Sequence, residues 1–173
     1  MPTRVTLRSA RKADEATFLD AVRRSRLLHR PWVSPPSTRR NYQEYLARAS
    51  GDRHRILLAW LKRPVALAGV INLNEIVRGC FQNAYLGYYA FEPFAGRGLM
   101  REALALAITH AFGKLRLHRL EANIQPGNTA SRALVRSLGF RLEGYSPRYL
   151  KIAGRWRDHE RWAMLAEHWH SRA

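Results

Sequence analysis

The sequence predicts a single mixed α/β domain over residues 1–173. Three observations carry this. At 173 residues and 46% hydrophobic, the chain is long enough and apolar enough to bury one core. Strand-like alternation and helix-like periodicity take turns along it, with no repeat, low-complexity tract or linker between them. A central strand–loop–helix–strand–helix unit is flanked by hairpin signals on both sides.

The elements follow in order. Thr6-Leu7-Arg8 reads as a short first strand. Residues 13–28 read as a helix with Phe18, Leu19, Val22 and Leu27 as its apolar members, ending before Pro31. Pro31-Trp32-Val33-Ser34-Pro35-Pro36 is too proline-rich for a helix and makes an aromatic loop. Thr38 is placed to cap a helix over 39–49, with Tyr42, Tyr45, Leu46 and Ala49 on one face. Strands over 54–61 and 64–74 flank Lys62-Arg63-Pro64 as a hairpin, and a third strand covers 83–91. The helix over 99–112 is rich in Ala and Leu with little β-branching. A strand over 119–124 ends at Gln125-Pro126-Gly127. Asn128 caps a helix running to Leu138, and Gly139 stops it. Strands over 140–152 and 156–165 are joined across Ala153-Gly154.

Composition narrows the function classes. The lone Cys80 excludes an intrachain disulfide framework and a Cys-based metal finger. The apolar run Ile56-Leu57-Leu58-Ala59-Trp60-Leu61 is far short of the roughly 20 residues a spanning helix needs. Met1-Pro2-Thr3-Arg4-Val5-Thr6-Leu7-Arg8 has no apolar leader core. The expectation is a cytoplasmic protein with no membrane partner and no metal. The charge is the outlier: 30 Lys+Arg against 13 Asp+Glu give +17, and 26 of those cations are arginine. Affinity for a polyanion or an acidic partner is one reading, and Arg-rich codon usage on a solvated surface is the other. The arginines are scattered, without blocks or an Arg/Gly tail, and no nucleic-acid-binding motif is evident.

The chemistry sits in the central unit. After Tyr88-Tyr89-Ala90-Phe91 the chain makes a turn, Glu92-Pro93-Phe94-Ala95-Gly96-Arg97-Gly98, and enters a helix at Leu99-Met100-Arg101. Such a turn aims consecutive backbone N–H groups at one point, and the helix dipole favours an anion there. Arg97 and Arg101 add positive charge, which suits a diphosphate. No Gly-Lys-Ser/Thr follows, so it is not a Walker loop, and Arg101 stands where the Rossmann spacing wants Gly or Ala. On the glycines alone, a plain loop is the favoured reading. Pro126-Gly127-Asn128-Thr129-Ala130-Ser131, then Leu138-Gly139-Phe140, supply a second motif.

Together these resemble the GCN5-related N-acetyltransferases, the GNAT superfamily. Its pattern is Gln/Arg-x-x-Gly-x-Gly/Ala opening a helix, followed by Asn-x-x-Ser on a helix ending in Gly-Phe. Here Ala95 stands for the Gln/Arg and Met100 for the final Gly/Ala. Asn74-Glu75-Ile76-Val77-Arg78-Gly79, Tyr85-Leu86-Gly87-Tyr88, His118-Arg119, Glu143-Gly144-Tyr145 and Gly154-Arg155-Trp156-Arg157-Asp158-His159 are similar to the RimJ-type ribosomal-protein alanine N-acetyltransferases. The resemblance implies a single-domain GNAT fold: a mixed, mostly antiparallel sheet of about seven strands flanked by about four helices. It also implies acetyl-CoA as cofactor. Tyr88, Tyr89, Ala90 and Phe91 would offer backbone groups to the pantetheine arm. Gly96, Arg97, Gly98, Leu99, Met100 and Arg101 would hold the pyrophosphate. Asn128 would bond the pantetheine side, and Ser131 would sit near the thiol; their plain readings are an N-cap and a first-turn residue.

Direct attack by an amine needs a proton acceptor, stabilisation of the oxyanion and an acid for the departing thiolate. Positions that carry Glu or Tyr in many relatives are here Asn123, Val135 and Leu150. The catalytic candidates are Ser131 as acid, Asn123 as anchor of a proton-accepting water, and Glu75 and Tyr145, with Asp158, His159 and Tyr149 also considered. An α-amine has a pKa of ~7.7–8 against ~10.4 for lysine, so a weak base favours a protein N-terminus. The expected partner is the N-terminus of a ribosomal protein, with electrostatic association with ribosome or rRNA, in a monomer or homodimer. The alternatives are a small-molecule amine acetyltransferase, disfavoured for polycations by the +17 charge, and a ribosome- or RNA-binding factor on this scaffold with weak catalysis.

Overall fold

The structure, a computed structural model, describes residues 3–171. Met1 and Pro2, part of the stretch read for a leader, and the extreme ends of the expected domain lie outside the described residues. The strands are β1 (Val5–Ser9), β2 (Arg55–Leu61), β3 (Ala66–Val77), β4 (Asn83–Ala90), β5 (Arg119–Ile124), β6 (Arg141–Ile152) and β7 (Arg155–Leu165). The helices are α1 (Glu15–Arg24), α2 (Arg26–His29), α3 (Arg39–Arg48), α4 (Leu99–Gly113), α5 (Thr129–Ser137) and α6 (Ala166–His170). All strands join one sheet in the order β1-β2-β3-β4-β5-β7-β6. Only β4 and β5 run parallel, because α4 carries the chain back between them. Among the described residues no helix is long and apolar enough to cross a membrane.

The central strands are apolar on both faces because each face carries a helix layer. On one side Ile71, Leu86, Leu120 and Trp162 pack against Leu104 and Ile108 of α4 and Val135 of α5. Full burial of a side chain such as Leu104 contributes roughly 1.5–3 kcal/mol. On the other side Val70, Tyr89 and Phe91 pack against Phe18 of α1 and Tyr42 and Tyr45 of α3. The seven-stranded sheet and the four longer helices match the expected architecture.

Three local differences have physical causes. The helix expected over 13–28 is broken: a 3-10 turn at Lys12–Asp14 precedes α1, and Ser25 separates α1 from α2. Ser25 Oγ donates to the Ala21 carbonyl at 2.7 Å and accepts from the Glu92 N–H at 2.9 Å, a side-chain competition that bends helices. The strand expected over 64–74 begins at Ala66 and runs on to Val77 through a bulge, with Glu75 at φ 47°. Finally α6 was not expected; its five residues are too few to show a period, and Trp169 Nε1 of α6 donates to Thr109 Oγ1 at 3.1 Å.

Candidate active site

The site begins where the sheet opens. The parallel pairing of β4 with β5 lasts only from Asn83↔Arg119 to Tyr85↔Glu121. Beyond it the strands part, and Leu86–Ala90 face a wedge. On its other edge β4 stays paired with β3 as far as Ala90. Phe91 N–H donates to the Ala68 carbonyl at 2.9 Å. By the antiparallel alternation, Tyr89 and Phe91 turn their backbone groups to β3, and Tyr88 and Ala90 turn theirs into the wedge. Of the four strand residues expected to offer backbone groups, Tyr88 and Ala90 turn theirs towards the wedge and Tyr89 and Phe91 do not. His29 Nε2 lies 2.8 Å from the Ala90 carbonyl and ties α2 to this edge.

The wedge leads to the turn before α4. Gly96 and Gly98 have φ values of 74° and 76°, a conformation that glycine adopts without steric cost. Among the described residues, the N–H groups from Ala95 to Met100 donate to no protein acceptor. These are the orphan donors of a helix start, pointing at one place. A Cβ built on Gly96 would meet nothing within 4 Å, so the cradle is open. From outside, Arg4 braces the turn: its Nη2 donates to the Arg97 carbonyl at 3.0 Å and its Nε to Glu102 at 2.7 Å. The Arg97 and Arg101 side chains are exposed and form no ion pair among the described residues. Leu99 is buried in the core and the Met100 side chain lies against Gly69, so both can offer the cradle only backbone. This donor set fits a diphosphate.

Across the wedge, Asn128 caps α5, accepting from Ser131 N–H at 3.1 Å. The cap reading of Asn128 holds, and its amide N–H₂ remains without a protein partner. Ser131 Oγ lies 2.6 Å from Tyr88 Oη. Burial pushes the Tyr88 phenol up to about 12 while the Ser131 hydroxyl pulls the other way, so Tyr88 stays protonated at neutral pH. The pair can pass a proton towards the wedge. Sequence reasoning assigns Tyr88 a backbone role only; alternation along β4, with Leu86 and Tyr88 facing α5, is the signal for the side chain.

The opposite face of the sheet looks different. Register puts Tyr85, Gly87, Asn123 and Arg161 on the face away from α5. Asn123 Oδ1 is buried there without a hydrogen-bond partner. Nearby carboxylates are already committed: Arg119 Nε donates to Glu121 at 2.8 Å and its Nη1 to Glu143 at 3.1 Å. Trp32, in the loop after α2, leans on Gly127, whose Cβ would sit 3.2 Å from the indole, and so closes the open end. On this face Tyr45 donates to Asn72 Oδ1.

The structure does not bring two sequence candidates here. Glu75 lies at the end of β3 where β4 and β5 are still joined, in an ion pair with Arg53 and 3.7 Å from His54 Nε2. Tyr145 is on the outermost strand, 54% exposed, and donates to Asp158 at 2.5 Å. Val135 is fully buried in the core and contributes no polar group.

Comparison with known proteins agrees with this geometry. A family model described as "Acetyltransferase (GNAT) domain" matches residues 4–141, so the chain belongs to the GNAT acetyltransferases. Its acyl donor is acetyl-CoA, which accounts for the diphosphate cradle. A Bacillus subtilis (strain 168) protein named probable N-acetyltransferase YjcK is 35% identical over 127 residues, covering 73% of this chain and 70% of that one. The [ribosomal protein uS5]-alanine N-acetyltransferase of Escherichia coli (strain K12) is 43% identical over 103 residues, which is 60% of this chain and 53% of that relative. The solved structure of Mycobacterium smegmatis RimJ in complex with CoA-disulfide superposes with a TM-score of 0.85 at 29% identity, covering 94% of this chain and 82% of that one.

Proposed function

We propose that this acetyltransferase acts on the α-amine at a protein N-terminus, with an alanine-initiated ribosomal protein as acceptor. One observation carries the reading: among the described residues the acceptor face offers the Arg161 cation and neutral hydrogen-bonding groups but no free carboxylate beside Asn123, because Glu121 and Glu143 are bound to Arg119. An α-amine at pKa ~7.7–8 is partly deprotonated near neutral pH, whereas lysine at ~10.4 asks for about 4 kcal/mol more. The +17 charge repels polycationic amines. The relative named for uS5-alanine acetylation supports the same acceptor class. Such an acceptor puts the reaction in the cytoplasm, with the surplus charge available for ribosome association.

Bound acetyl-CoA would supply an electrophilic thioester. Tyr88 and Ala90 would align the pantetheine arm through backbone, as would the Asn128 amide. The turn from Gly96 to Met100, with Arg97 and Arg101, would hold the diphosphate. Ser131, backed by Tyr88, would protonate the departing sulfur. Asn123 is a poorer candidate than the sequence implied, because its Oδ1 is fully enclosed and has no surface for an amine or a water.

Thiol release with an alanine-initiated peptide tests the acceptor. Turnover should fall at least about 10²-fold on the same peptide with its α-amine blocked and an internal lysine left free. Faster turnover of spermidine than of the free peptide would overturn the reading.

A further inference from the structure

On the acceptor face one buried group has no part in the chemistry above. His159 of β7 is only 3% exposed. Its Nδ1 lies 2.9 Å from the Arg157 carbonyl, an acceptor, so Nδ1 carries the proton and donates. That fixes the tautomer and leaves the lone pair on Nε2. Nε2 has no protein partner, yet it is not one of the fully enclosed polar atoms, so the residual exposure of the ring includes the lone pair.

Its position follows from register. Arg161 lies opposite Asn123, and Ile124, the last residue of β5, lies opposite Glu160. Alternation returns His159 to the Asn123 face, one pleat nearer the open end of the wedge. The ring therefore lies on the face opposite Ser131, one strand beyond β5 from the wedge. Asn123 Oδ1, buried and unpartnered, is the neighbouring acceptor on β5. From β6, Tyr149 arches over the same face through the irregularity between Ser146 and Leu150, its ring 6.3 Å from that of His159. The charged groups around the imidazole are Arg157, Asp158 and Arg161 on its own strand. Asp158 is already bonded to Tyr145 and to the Arg148 N–H, so no carboxylate occupies Nε2. Burial holds the imidazole below its ordinary range against the opposing pull of Asp158, which keeps it neutral at pH 7.

We propose that His159 Nε2 is the proton acceptor for the attacking amine, with the Tyr88–Ser131 pair serving the leaving sulfur from the other face. In one turnover the N–C bond forms and the C–S bond breaks. One amine proton goes to Nε2, the sulfur takes a proton from Ser131, and solvent resets both groups. The inference rests on the family's acetyl transfer; only its kinetic arm borrows the N-terminal acceptor.

Two measurements on the full chain test it. Nitrogen NMR of the unliganded protein reads the His159 tautomer without any acceptor. The Nδ1–H form at pH 7 is expected, and the Nε2–H form would overturn the proposal. His159→Asn keeps a donor where Nδ1 stood, facing the Arg157 carbonyl, so its kcat on an alanine-initiated peptide is informative. It should drop about 10²-fold near pH 7 with the KM for acetyl-CoA unchanged, and the deficit should narrow as pH rises past ~8, where solvent deprotonates the amine. No loss, or the same loss at every pH, overturns the proposal. If wild type is inactive on the peptide, the acceptor reading has failed, and the tautomer alone then decides on His159.

Discussion

The two faces of the wedge are built by different means. The face proposed to take acetyl-CoA is mostly backbone: free N–H groups at Ala95 to Met100, the open edge of β4, and one hydroxyl pair, Tyr88 and Ser131. The acceptor face is side chain, assembled from β5, β6, β7 and the loop that carries Trp32. Backbone donors need a turn shape and tolerate varied side chains. A side-chain pocket needs particular residues brought together from distant parts of the chain. The contrast explains how one fold can keep its donor while its acceptor changes, because specificity lives where loops and hairpins meet.

The sharpest way to break this comparison is at the place where the donor face is proposed to rely on a side chain for chemistry. Ser131→Ala removes the acid but leaves the Asn128 cap, which bonds the Ser131 N–H and not its hydroxyl. Steady-state kcat should fall about 10²-fold while the affinity for acetyl-CoA barely moves. An unchanged kcat would strike Ser131 from the chemistry and leave that face wholly a binding surface.

Legibility in the sequence follows the same division. The turn at Gly96 and Gly98, the Asn128 cap and the strands over 119–124 were readable because each is a local pattern of a few residues. The break at Ser25 was not: it depends on Glu92, 67 positions away, offering its N–H to the Ser25 hydroxyl. The same holds for Tyr88, whose partner Ser131 lies 43 residues on. Glu75 was attractive as a carboxylate near the motif, but pairing with Arg53 is a property of the fold alone. The missing free base was visible in sequence at Asn123, and His159 was visible as one imidazole candidate among several; its tautomer was not, since that depends on where the Arg157 carbonyl points.

A smaller effect tests the backbone side. Gly98 sits at φ 76° as the N-cap of α4, and a Cβ there would meet Arg4 Nη2 at 3.4 Å, a contact a flexible side chain can accept. The obstacle to Gly98→Val is therefore conformation, worth roughly 1–2 kcal/mol for an L-residue in the left-handed region. The turn should relax and misalign its N–H groups. Calorimetric titration should show CoA binding weakened about tenfold, the equivalent of ~1.4 kcal/mol, with acceptor KM little changed. Binding as tight as wild type would mean that Arg97 and Arg101, and not the backbone, hold the diphosphate.

The smallest expected effect separates the faces by acid sensitivity. Burial lowers the pKa of His29, which ties α2 to β4 through the Ala90 carbonyl, and does the same to His159; Tyr88 and Ser131 carry no charge to gain. A histidine whose folded pKa is lowered contributes stability that is fully present above its unfolded value of ~6.5 and is lost as pH falls through the lowered folded value. Acid should therefore loosen the acceptor side first. His29→Gln retains an N–H for the Ala90 carbonyl and cannot titrate, so the fall in Tm between about pH 7.5 and about pH 5.5 should be smaller than in wild type. Hydrogen exchange at mildly acidic pH should show faster exchange around α2 in wild type than in the variant, with α5 unchanged in both. Equal acid sensitivity of α2 and α5 would show that the two faces open as one cooperative unit, and that their separate construction does not give them separate stabilities.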